Sequence, residues 1–254
     1  MKSLFPLILL FSLNLHAAND LEQVARVQAL VERREAVLNG PNCWNAALYS
    51  RGLVEGVRHV DGPEFTAWLS SPLCTEVPED QATSGDVVAL RRVTREGKLV
   101  KGPYGAEIHG YLLGSDGWGF TKNGTNRKDS YHFEESASII RLYQTSNLKE
   151  CRMLGIPKEA CHLKAQYFRC DPAALSWDDS LTALVSKLST LEQRLHAFYF
   201  DETRTSEERS AFKQAMSLEI RGLRNEFTLV GEKAPAWQLE LIDGRLASAA
   251  VFLF

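Results

Sequence analysis

The stretch that most constrains this chain is Gly40-Pro41-Asn42-Cys43-Trp44-Asn45-Ala46-Ala47-Leu48, which sets a cysteine at the start of a helix. Gly-Pro is turn chemistry, and Asn42 is a good N-cap, because its side-chain oxygen can accept a free N–H of the first helical turn. Trp44, Ala47, Leu48 and Val54 then fall on one helical face, and the spacing predicts a helix that runs to about Val57. Cys43 stands at its first position, beside unsatisfied N–H donors and the positive end of the helix dipole. Those surroundings favour thiolate over thiol, so a lowered pKa and a reactive sulfur are expected.

The first residues bear on whether that sulfur is free. Lys2 precedes an apolar stretch from Leu4 to Leu15, and Leu15-His16-Ala17-Ala18 offers small residues for cleavage, so residues 1–18 read as a signal peptide. Export implies an oxidising compartment, periplasmic or extracellular. The five cysteines, Cys43, Cys74, Cys151, Cys161 and Cys170, are then an odd number that leaves one thiol over. Cys151, Cys161 and Cys170 are close together and read as a stapled loop that takes in Cys74. Three pairings of those four are possible, and all of them leave Cys43 free.

A net charge of −3 gives no reason to expect nucleic acid as a partner, and no apolar run reaches the roughly 20 residues of a membrane span. Residues 20–38 have helix-period apolar positions, and a short helix is expected over Glu64–Leu69. Val87-Val88-Ala89-Leu90 reads as a short buried strand, and the basic run from Arg91 to Lys101 as a solvated hairpin end. Ala106 to Leu113 alternates, with Glu107, His109, Tyr111 and Leu113 on one face. Gly114-Ser115-Asp116-Gly117 turns the chain into a returning strand, Trp118–Lys122. Past Phe133 only the apolar run Ile139–Tyr143 stands out before the cysteine loop. Residues 176–200 form the clearest helix, with Leu181, Leu184, Leu188, Leu191, Leu195 and Phe198 in 3-4 spacing. A capping box, Thr205 with Glu208, opens a second helix whose Phe212, Met216, Ile220 and Leu223 face inward. The tail, Trp237–Phe254, reads as a hairpin about Asp243-Gly244 that ends in a buried strand.

A cysteine nucleophile needs a base and a group that orients the base. His109, mid-strand beside Gly110, is the candidate base. The hairpin register selects the third member. A two-residue turn sets His109 opposite Lys122, and a three-residue loop sets it opposite Asn123, whose amide could orient the ring. No cofactor or metal is expected: Cys161-His162 lacks a second histidine at ligand spacing, and no phosphate-binding glycine loop precedes a helix.

The order of these parts resembles the NlpC-type branch of papain-like cysteine peptidases: a cysteine opening a helix, Gly85-Asp86-Val87-Val88 at a strand start, a strand histidine, a hairpin, and a polar residue on the next strand. The likeness covers about residues 42–124. The family usually has Asp-Cys-Ser-Gly at the nucleophile, where this chain has Asn42-Cys43-Trp44-Asn45. Its histidine is usually followed by a hydrophobic residue and then glycine, where Gly110 here follows His109 directly. The resemblance implies Cys43 as nucleophile, His109 as base, Asn123 as third residue, and a cell-wall peptide or other amide as substrate.

The expected fold is α+β, a small antiparallel sheet with the Cys43 helix packed on it, in a domain over residues 19–148. A disulfide loop and helical-hairpin extension follow over 149–254. The expected function is an exported cysteine hydrolase. The alternatives are a transglutaminase-like acyl transferase and a catalytically inactive exported interaction protein that docks a partner through the helical hairpin.

Overall fold

One strand, β2 (Val87–Val93), is buried along its whole length, and the fold is layered around it. The computed structural model describes residues 22–31, 41–102, 105–125, 129–201, 203–230 and 234–251, so the expected signal peptide lies outside the described residues. In chain order come α1 (22–31), α2 (Cys43–Arg51), α3 (Gly62–Ser70), β1 (Cys74–Val77), β2, β3 (Glu107–Leu113), β4 (Trp118–Lys122) and β5 (Tyr131–Glu135). Then follow α4 (Ser136–Met153), β6 (His162–Cys170), α5 (Thr182–Phe200), α6 (Ser206–Val230) and α7 (Ala236–Val251). Among the described residues the sheet has six strands in the order β1-β6-β2-β3-β4-β5, and each pair is antiparallel. The architecture is α+β.

The two faces of the sheet are different rooms. Val87, Ala89, Leu112, Phe120, Tyr131 and Phe168 share a core with residues of α2 and α3. Val88, Leu90, Tyr111 and Tyr167 pack with Ile139 of α4 on the other face. Arg91 and Arg92 continue β2 and are buried, which corrects the expected solvated hairpin end. A buried guanidinium must be paired. Arg91 Nε donates to Glu107 Oε1 at 2.8 Å, and Arg92, on the other face, meets Asn147 Oδ1 at 2.7 Å and Glu150 Oε2 at 2.9 Å.

Three further expectations are corrected. The Cys43 helix stops at Arg51, not Val57, because Gly52 takes up a left-handed conformation (φ 84°) and its N–H closes on the Leu48 and Tyr49 carbonyls. The cysteine-rich loop contains β6, which pairs with both β1 and β2. The tail is helical as far as Val251, its last three residues lying outside the described ones: Asp243-Gly244 lies within α7, where a Cβ on Gly244 would come within 2.7 Å of the Glu64 Cα. That glycine permits a close helix–helix approach instead of a turn.

Two disulfides, Cys74–Cys170 and Cys151–Cys161, leave Cys43 as the free cysteine. The first joins β1 to β6 at paired positions, and the second ties the end of α4 to the start of β6. The leucine seam of α5 packs as expected with Met216, Ile220 and Leu223 of α6, and with Ile242, Leu246 and Ala249 of α7. The capping box of α6 is formed, with the Thr205 N–H donating to Glu208 at 2.8 Å and the Glu208 N–H to Thr205 at 3.2 Å. Leu188 has no exposed surface in this second core. Leu188→Ala should therefore destabilise the protein by about 2–5 kcal/mol, read from chemical denaturation.

Candidate functional site

Asn42 starts α2 as its sequence implies. Its Oδ1 accepts the Asn45 N–H at 3.1 Å, while its Nδ2 donates to the Val60 carbonyl at 2.6 Å. Cys43 follows at the first helical position but is only 7% exposed. Burial pushes its thiol up to about 11, outweighing the N–H groups of Gly110, Trp44 and Cys43 itself and the charge of Lys122. The expected low pKa is thus corrected: desolvation of the thiolate exceeds the help from the helix start.

His109 lies on β3 with no exposed surface. Burial, and secondarily the charge of His132, pushes its pKa down to about 3, so the ring is neutral. Nε2 sits 2.8 Å from Thr121 Oγ1, and the ring stacks on Tyr143 of α4 with 3.7 Å between centroids. Nδ1 is buried and has no hydrogen-bond partner among the described residues.

Alternation along β3 decides how these two groups relate. Gly110 turns toward α2 and α3: a Cβ there would come within 2.7 Å of Phe65 and 3.0 Å of Trp44. Successive strand residues point to opposite faces. His109, one residue earlier, therefore points to the α4 face with its β2 partner Leu90 and with Tyr111. The Cys43 sulfur accepts the Gly110 N–H, which sets it beside β3 one residue along from His109. Among the described residues no hydrogen bond joins Cys43 to His109. A bulge opposite Leu90 and Arg91 sets Glu107 against Arg91, so Glu107 leaves the face expected for it and bonds Thr66 of α3 at 2.8 Å.

The hairpin takes the register of a three-residue loop: Leu112 pairs with Phe120, Leu113 with Gly119, and the Gly114 N–H donates to the Trp118 carbonyl at 2.7 Å. Carried back along the strands, that register sets Asn123 across from His109. The Asn123 amide is engaged elsewhere. Its Oδ1 accepts the Tyr143 hydroxyl at 3.1 Å, and its Nδ2 lies 3.4 Å from His132 Nε2. Lys122 is buried, with Nζ donating to the Gly124 carbonyl at 3.3 Å and 5.8 Å from the Tyr131 ring centroid.

The structure thus brings His109 and Asn123 to one cluster bridged by Tyr143, and sets the Cys43 sulfur beside the Gly110 N–H, within electrostatic reach of both Tyr143 and Lys122. Tyr143 and Thr121 are the members of this cluster that the sequence reading did not single out. Ile139 and Tyr143, four residues apart in an apolar run, were the available signal of a helix over the sheet. Among the described residues no group of three or more His, Cys, Asp or Glu side chains could hold a metal ion. No family model, curated protein or solved structure matches this chain.

The buried neutral imidazole has a consequence for pH dependence. With a folded pKa near 3 against an ordinary 6.5, His109 favours the folded state fully above pH 6.5. That contribution is lost as pH falls through 6.5 toward 3, because the unfolded chain binds the proton first. By pH 5 the loss is about 2 kcal/mol. Melting curves from pH 8 to 5 should show a steeper fall for the wild type than for His109→Gln; parallel curves would show that the ring protonates in place.

Proposed function

We propose that the protein is an exported, non-catalytic binding or interaction protein that keeps the layout of a cysteine hydrolase. The observation that carries this reading is the burial of both groups, with no exposed surface on His109 and only 7% on Cys43. A general base must come within hydrogen-bond reach of the proton it removes. Here the imidazole is spent on Thr121 and Tyr143 and the thiol is protonated at neutral pH. Two disulfides fit an oxidising compartment, and among the described residues no helix is long and apolar enough to cross a membrane. The ligand class that the NlpC-type resemblance implies is cell-wall peptide. A protein partner at the α5–α6 hairpin would meet its outward face, where Leu218 and Leu229 are exposed, since the leucine seam is already filled.

A second reading, an active thiol hydrolase, is favoured by one feature: the free Cys43 at a helix start, with the N–H groups of Cys43, Trp44 and Gly110 directed at its sulfur. Backbone donors so placed could serve an oxyanion. Two measurements separate the readings. Iodoacetamide at pH 6 should label Cys43 slowly in the folded protein and quickly after unfolding. Purified peptidoglycan incubated with the protein should release no fragments detectable by mass spectrometry while retaining protein in the pellet. Fragment release that disappears in Cys43→Ala would establish the hydrolase instead.

A further inference from the structure

The charges that join α3 to α5 and α7, buried at Arg58, Glu64, Glu192 and Arg245 and half-buried at Asp61, do not balance. Arg58, in the segment before α3, is 1% exposed; its Nη1 donates to Glu64 Oε2 at 2.8 Å, and its Nη2 lies 3.1 Å from Glu192 of α5. Glu192 is also held by Arg245 of α7 through two bonds of 2.9 Å. Asp61 caps α3, with its Oδ1 accepting the Glu64 N–H at 2.8 Å, and its own N–H donates to Ser248 Oγ of α7 at 2.9 Å. Three carboxylates, Asp61, Glu64 and Glu192, thus share two guanidiniums, and Asp61 is the one with no ion pair among the described residues. The contact is too close for water to screen it well, since Gly244 of α7 packs directly on the Glu64 backbone.

We propose that Asp61 makes the contact of α3 with α7 an acid-tightened joint, in which one proton on its carboxyl removes the excess negative charge and strengthens the docking of α7. The groups facing that carboxyl are Glu64 on its own helix, Arg58 in the preceding segment and Ser248 on α7, with Glu192 and Arg245 behind them. Burial pushes the Asp61 pKa up to about 6, and the Glu64 charge adds to the rise; the Glu64 N–H, Ser248 and Arg58 oppose it. The sign follows from linkage. A carboxyl whose folded pKa stands above its unfolded value of 3.8 stabilises the fold as pH falls through 6, and that gain is lost again as pH rises.

His109 acts in the opposite direction over the same range, so the informative quantity is a difference between two chains that both contain it. Asp61→Asn keeps the helix cap, because asparagine caps as well as aspartate, and cannot take up the proton. Melting temperatures of the mature wild type and D61N, measured at pH 7.5 and at pH 5, should show the wild type gaining roughly 3–6 °C on the variant at the lower pH. A gap between the two that does not change with pH overturns the proposal. Carbon NMR of the Asp61 carboxyl in the unaltered chain reads the same group without a substitution: a midpoint near 6 supports the joint, and a midpoint near 4 overturns it.

Discussion

Two adjacent arginines in a buried strand set the terms for much of this structure. Arg91 and Arg92 point to opposite faces of β2, so each layer that covers the sheet must supply a group to meet a guanidinium. An unpaired buried charge costs several kcal/mol, which makes these demands on architecture and not on decoration. On one side the answer is Glu107, brought against Arg91 by a bulge in β3 and held in turn by Thr66 of α3. On the other it is Asn147 and Glu150, which fix α4 across the sheet a turn or so before the Cys151–Cys161 bridge. With α4 fixed there, Tyr143 comes down on His109 and takes Asn123 with it. The cluster that gathers the candidate base is therefore downstream of a strand's need to neutralise its own charges.

The sequence made the local structure legible wherever one short-range rule governed it. Asn42 capping α2, the Thr205–Glu208 box and the leucine seam of α5 depend on spacings of three or four residues, and all three formed. So did the division of the cysteines into one free and four bridged. What escaped depended on distant chain. Leu163, Ala165 and Tyr167 alternate with Lys164 and Gln166, a strand pattern in plain view, but the flanking cysteines drew the reading to a loop. Asp243-Gly244 is turn chemistry in isolation and a contact surface once α3 lies against it. The Val57 end of α2 failed for a simpler reason, because Gly52 was available as a stop.

The candidate site divides along the same line. The position of Cys43 and the hairpin register were readable locally, yet the relation between Cys43 and His109 was not. Alternation says only that His109 and Gly110 face apart; it does not say which face α2 will cover. The glycine itself was the clue, since a bare strand position marks where another element comes close. Trp44 and Phe65 occupy that space, and the histidine side chain turns the other way, onto Tyr143 of α4. The thiol pKa went the other way from expectation because a helix start lowers it only while the sulfur keeps some contact with water, and Cys43 is only 7% exposed.

The place of β6 between β1 and β2 has a consequence for how the chain is made. Synthesis runs from the N-terminus, so β2 to β5 emerge before the strand that completes them. Until residue 170 has emerged, β2 presents a row of open backbone donors and acceptors along one side, next to apolar residues with no cover. Such an edge recruits other chains. The interval between emergence of β5 and arrival of β6 is thus the stage at which this edge is open to other chains, and a chain released before that point would carry an adhesive surface outward.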